Sequence, residues 1–191
     1  MDVANITFSH IVDLPAGNYF TRCIAAADVN ADGMMDIIFG NSNHDNQLLL
    51  NDGEGGFSEA VDLPGGILET YSIAVADINN DGLVDIIIGS ITQKNQLLLN
   101  DGDGIYSKAV DLPGGYTYTK SIAVADVNND GMVDIIIGNY NQTNQLLISN
   151  DFGSYFDVVV LPGGDMTTFS VAAADVNNDG MVDIIIGEES K

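Results

Sequence analysis

The 191-residue chain is long enough for a single domain with a real core, and its 46% of apolar residues argues against a disordered acidic polymer. Five Lys and Arg stand against 28 Asp and Glu, a formal charge of −23. That balance argues against nucleic acid and anionic membranes, which require a basic face, and favours cations as partners.

The sequence begins with "ITFSHIVDLP", an apolar stretch ending in proline that reads as a strand. From there the chain repeats. An acidic loop begins at Asp28, Asp77, Asp126 and Asp175, always 49 residues on. In chain order, one copy gives a small-residue strand "YSIAVAD" (a), the loop, a continuous apolar strand "DIIIG" (b), "NQLLLN" (c) and the weakly alternating "FSEAVDLP" (d). "NDG" and "PGG" turns separate them, and nothing has the length or pattern of a substantial helix.

Four antiparallel strands at a period near 50 predict an all-β fold, a β-propeller built of four 49-residue, four-stranded blades. Residues 1–191 then form one repeat domain. All four prolines, Pro15, Pro64, Pro113 and Pro162, fall in d, which predicts d as the outer edge, because proline cannot donate to a ladder. The small residues of a, such as Ala74 and Ala76, suit the crowded axis. The fourth set stops after b. The N-terminal strand, another copy of the chain in a homo-oligomer, or further repeats of a longer array would complete it.

The loops carry the chemistry. Positions 1, 3 and 5 are Asp28, Asn30 and Asp32; Asp77, Asn79 and Asp81; Asp126, Asn128 and Asp130; Asp175, Asn177 and Asp179. Glycine at position 6 permits a sharp turn. Position 7, which is Met34, Leu83, Met132 or Met181, can offer only its carbonyl. Position 9 is Asp36, Asp85, Asp134 or Asp183. Oxygen-only donors with three carboxylates suit Ca²⁺, about one ion per loop and four per chain. Four such ions would bring the formal charge of −23 to about −15. An EF-hand is excluded, because Phe39, Ile88, Ile137 or Ile186 stands where its closing Glu would be. Dockerin-type loops share "DVNxDG" but run on into a helix, whereas β-branched residues follow here.

With its loop between strands a and b of four-stranded units, the sequence resembles the FG-GAP and VCBS-type repeats of integrin-α-like propellers. The resemblance covers essentially the whole chain and is closer to VCBS, since the "FG…GAP" dipeptides are poorly kept. It implies Ca²⁺ held by positions 1, 3, 5 and 9 and the carbonyl of 7, in all four copies. It also implies ligand recognition on the opposite face, at the d–a and b–c loops. There the copies differ, and aromatic residues gather: Tyr19, Tyr71, Tyr116, Tyr118 and Tyr140, with Asn141 beside the last. Rings beside amides are a common way to meet a sugar or peptide. Phe20, Phe169, Asn43, His44, Gln93, Lys94, Lys120 and Gln142 accompany them.

The single cysteine, Cys23, cannot form an internal disulfide and aligns with Ser72, Ser121 and Ser170, as a small residue in a small site. His44 reads as a solvated loop residue and His10 as a strand residue. No nucleophile–base motif, phosphate loop or zinc set is present, so no catalysis is expected. Apolar runs of about four to seven residues fall short of the roughly 20 needed to span a bilayer, and no signal peptide is visible. The expectation is a calcium-binding recognition or adhesion module, extracellular, cell-surface or periplasmic, taking carbohydrate or protein. The alternative is a structural, duplicated or designed scaffold that self-assembles and binds only calcium.

Overall fold

The computed structural model describes residues 13–150 and 155–189. The described residues form strands and turns only: β1 (Phe20–Ala27), β2 (Asp36–His44), β3 (Gln47–Leu49), β4 (Val61–Asp62), β5 (Leu68–Ala76), β6 (Asp85–Ser90), β7 (Lys94–Leu98), β8 (Ala109–Tyr116), β9 (Thr119–Ala125), β10 (Asp134–Gln142), β11 (Gln145–Asn150), β12 (Tyr155–Val160), β13 (Met166–Ala174) and β14 (Asp183–Glu189). Among them no helix is long and apolar enough to cross a membrane.

Every pairing is antiparallel. β1–β4, β5–β8 and β9–β12 are three successive meanders, and β13 pairs with β14. The acidic loop sets the register of each first pair: Ala27 faces Asp36, Ala76 faces Asp85, Ala125 faces Asp134 and Ala174 faces Asp183. The far end of each second strand reaches the next unit in two places, where Ser42 pairs with Glu69 and Tyr140 with Thr167.

The unbroken isoleucine runs now have a cause. Alternate side chains of a strand point to opposite faces. Ile86 and Ile88 enter a core with Ile38, Leu48 and Leu98, whereas Ile87 enters a second core with Ile122, Ile135 and Ile137. Ile136 enters a third with Leu146 and Val171. Each core lies between consecutive units, so β6 and β10, with a unit on both sides, are wet on neither face along their isoleucine runs. The first strands β1, β5, β9 and β13 lie side by side as the inner row, where small residues permit close approach. The glycines within β2, β6 and β10 serve the same approach: a Cβ on Gly138 would meet Val171 Cγ1 at 2.7 Å and Thr168 Cγ2 at 2.8 Å, both from the next unit.

Units are also joined by hydrogen bonds. Ser72 Oγ accepts the Ile122 N–H at 3.0 Å, and Ser121 Oγ accepts that of Val171 at 3.1 Å. Cys23 takes the equivalent place opposite Ile73, and burial pushes its thiol up to about 12, so it is inert near neutrality.

Each first strand contains a bulge. Its register shifts between Thr21 and Cys23, between Thr70 and Ser72, between Thr119 and Ser121, and between Thr168 and Ser170. The extra residue is Arg22, Tyr71, Lys120 or Phe169, the same repeat position each time.

Two expectations change in detail. Strand d of the first unit is only Val61–Asp62, because the glycine-rich hairpin after β3 closes separately, through an Asn51–Phe57 bridge and the Ser58 N–H on the Leu50 carbonyl. Pro113 lies within edge strand β8, while Pro64 and Pro162 follow β4 and β12. The N-terminal strand, His10 and any ring closure built on them lie outside the described residues.

Ile87 and Ile185 occupy one repeat position, but Ile87 is fully buried and Ile185 is 40% exposed. Ile87→Ala should cost about 2–5 kcal/mol in urea titrations and Ile185→Ala less than about 1. Equal losses would contradict cores placed between units.

Candidate metal loops and candidate ligand crevice

The four acidic loops share one geometry. Asp77 Oδ1 accepts the Asp81 N–H at 3.1 Å and its Oδ2 the Gly82 N–H at 2.8 Å. Asp81 Oδ1 accepts the Leu83 N–H at 2.8 Å, and Asn79 Nδ2 donates to Asp81 Oδ2 at 2.8 Å. The backbone bonds recur from Asp28, Asp126 and Asp175. Position 4 is left-handed in each: Ala31, Asn80, Asn129 and Asn178 have φ between 58° and 60°. Asparagine tolerates that conformation better than most residues. Adjacent loops touch there, since Asn80 Nδ2 donates to the Gly131 carbonyl at 3.3 Å and Asn129 Nδ2 to that of Gly180 at 3.4 Å.

Position 9 behaves differently. Asp36, Asp85 and Asp134 are fully buried. Asp85 Oδ2 accepts the Ile78 N–H at 2.9 Å, and its Oδ1 the Asn100 N–H at 2.8 Å. Asp36 makes the same pair with Val29 and Asn51, and Asp134 with Val127 and Ser149. Burial raises the carboxyl pKa of Asp85, backbone amides lower it, and the charges of Asp81 and Asp77 raise it again. Asp134 is raised by the same causes, with Asp130 and Asp126 as neighbours.

Among the described residues no three His, Cys, Asp or Glu side chains converge at metal-ligand spacing, because the loop carboxylates are turned onto backbone amides. The donor set nevertheless fits a hard divalent cation. All its atoms are oxygens, three carboxylates repel one another, and the ion pair found among the described residues, Lys94–Asp111, involves none of them. A carboxylate oxygen that accepts one N–H retains a lone pair. Asp77, Asn79, Asp81, the Leu83 carbonyl and Asp85 would hold the ion, as would their equivalents in the other loops.

At the opposite end of the strands lies a cavity of about 400 Å³ lined by Ile91, Tyr118, Lys120, Tyr140, Asn141 and Gln142. A second, also of about 400 Å³, adjoins it beside Tyr116, Tyr118 and Thr92. The stretch "YTYTK" builds this wall by alternation. Thr117 and Thr119 turn inward to a buried network with Asn95 and Asn139, while Tyr116 and Tyr118 are exposed. Tyr118 is fixed by its N–H on Gln142 Oε1 at 2.8 Å and by its carbonyl, which accepts the Tyr140 N–H at 2.9 Å. Lys120 Nζ stands 3.6 Å from the Tyr71 ring centre and 5.5 Å from that of Tyr140.

Of the sequence-predicted ligand residues, Tyr116, Tyr118, Tyr140 and Asn141 therefore come together, and Tyr71 backs them through Lys120. Tyr19 does not line either cavity; it stacks on His44 at 4.2 Å. Ile91 was missed, since its part in the crevice comes from the preceding unit and has no sequence signal.

This architecture defines an all-β repeat protein of side-by-side antiparallel units, with acidic loops at one end and an aromatic crevice at the other. The model of the FG-GAP-like repeat matches residues 28–88, 77–137 and 126–186, and the chain belongs to that family. No curated protein matches the chain. Among solved structures it is similar to BBS1N in complex with ARL6DN, at 12% identity and TM-score 0.60, covering 92% of this chain and 52% of that one. It is also similar to an Agrocybe aegerita lectin recognising non-reducing terminal N-acetylglucosamine, at 21% identity and TM-score 0.58, covering 84% and 45%. The V. cholerae biofilm matrix protein Bap1 matches at 20% identity and TM-score 0.53, covering 85% and 23%. These likenesses carry the fold, and the chain spans about half the length, or less, of each.

Asp85→Ala, measured in chelator, should cost about 2–5 kcal/mol by leaving two backbone amides unpaired. The pH dependence in chelator follows from the raised pKa values of Asp85 and Asp134. The folded state binds their protons more tightly than the unfolded state, so urea midpoints should rise as the pH falls from neutrality toward the ordinary carboxylate range. Saturating calcium should reduce that rise.

Proposed function

We propose that the chain is a calcium-stabilised β-propeller recognition module, non-catalytic and working outside the cytoplasm, where millimolar calcium fills weak sites. In this reading each 49-residue repeat contributes one blade and one Ca²⁺ loop, and the ligand is a carbohydrate or protein. The observation that carries it is the preformed crevice of Tyr118, Lys120, Tyr140, Asn141 and Gln142, on the face remote from the loops. Rings beside fixed amides favour recognition. Membership of the repeat family and the fold-level likeness to a lectin support a binding role.

A second reading is a structural scaffold that binds calcium and assembles through its flanks. It is favoured by Ile24 and Ile185, 61% and 40% exposed, whose repeat equivalents Ile122 and Ile136 are buried. Further repeats, from a second copy or a longer array, would cover both flanks.

Calcium should raise the melting temperature by more than about 5 °C in calorimetric scans against chelator. Identical scans would remove the calcium reading. A glycan array probed with calcium and again with chelator should show binding in the first case and loss in the second. An array silent under both conditions, with light scattering showing an oligomer, would favour the scaffold.

A further inference from the structure

The bulge in each first strand delivers one side chain per unit to the crevice face, and the four alternate between cation and ring: Arg22, Tyr71, Lys120, Phe169. The Arg22 guanidinium lies 4.4 Å from the Tyr71 ring centre, with the Lys120 ammonium 3.6 Å from the same ring. In a chain of net charge −23 with only five Lys and Arg, a cation held here without a carboxylate is out of keeping with the rest of the surface. The ion pair among the described residues, Lys94–Asp111 at 3.2 Å, leaves Lys120 out.

The three junctions between consecutive units are not equivalent at these positions. Where the middle crevice has Tyr118, the first has Glu69. Where the middle has Tyr140 on its second strand, the last has Glu189. Only the middle crevice therefore combines a lysine with two rings and no carboxylate at these positions. Its amides are also biased. Asn141 Oδ1 already accepts the Thr167 hydroxyl at 2.7 Å, and Gln142 Oε1 accepts the Tyr118 N–H at 2.8 Å. With their oxygens engaged, both amides have N–H groups left to offer. Ammonium and amide N–H together make a donor-rich cleft, which suits an acceptor-rich ligand.

We propose that the crevice between the second and third units binds a pyranose bearing a carboxylate, a uronic-acid type of sugar, with Lys120 opposite the carboxylate and Tyr118 and Tyr140 against the ring. This rests on the carbohydrate-recognition reading above and narrows it to an acidic sugar. The acidic loops do not oppose it. The seven residues of β9 separate them from the crevice by roughly 23 Å, well beyond the Debye length of about 8 Å at physiological salt.

The test is titration calorimetry in saturating calcium. The probes are a glucuronic-acid-terminated disaccharide, its glucose-terminated counterpart and an oligoglutamate peptide. The acidic sugar should bind about tenfold more tightly than the neutral one. Lys120→Met should abolish that preference, and Lys120→Arg should keep it. Tyr140→Ala should weaken both sugars. Melting curves of the variants separate lost contact from lost fold, because Lys120→Arg retains the cation–ring contacts. Equal affinity for the two sugars, or an undiminished preference in Lys120→Met, overturns the acidic-sugar proposal and leaves carbohydrate recognition standing. Binding of oligoglutamate with no sugar bound overturns both.

Discussion

The carboxylates that open β2, β6 and β10 each hold three pieces of backbone at once. Asp85 accepts N–H groups from Ile78, at the beginning of the acidic loop, and from Asn100, just past β7, while its own residue opens β6. Burying a carboxylate is costly, and two amides offset part of the cost. The balance is visible in the raised pKa, which the aspartates above it push higher. In the second and third units the most strongly fixed corner is thus also the electrostatically weakest point. Geometry and charge pull in opposite directions at one residue, and a cation above the loop would reconcile them.

The rest of the molecule follows from units that cannot stand alone. Ile86 and Ile87 are adjacent in sequence yet belong to different cores, one shared with the preceding unit and one with the next. Stability in such an array is a sum over units and over the interfaces between neighbours, and here the cores lie in the interfaces. The serine bonds to Ile122 and Val171 and the absent Cβ of Gly138 are interface features of the same kind, repeated at each junction.

What the sequence revealed was what local spacing controls. The acidic loops, the order of the strands and the proline-marked edges all follow from residues close together in the chain. Features that need a partner strand were hidden. Asn46, Asn95 and Asn144 look like polar starts of an apolar strand, but each side-chain oxygen accepts a buried N–H, of Asn41, Ser90 or Asn139, and closes the preceding hairpin. Lys120 read as one polar group among several at the ends of the strands. Its distinct setting depends on Tyr71 and Ile91 from the unit before and on Tyr140 from the next strand. The bulges leave no mark in composition, because a register shift is a property of two strands together.

Those bulges have a wider consequence. An ordinary strand position is committed to one side by alternation, so changing it disturbs either the core or its cross-strand neighbour. Arg22, Tyr71, Lys120 and Phe169 stand outside that bookkeeping, as the supernumerary residue of each strand. Four such different side chains in otherwise nearly identical repeats show what that freedom allows. The array is a row of interchangeable sockets on a fixed chassis, in which one side chain per unit can be rewritten without reopening the packing beneath.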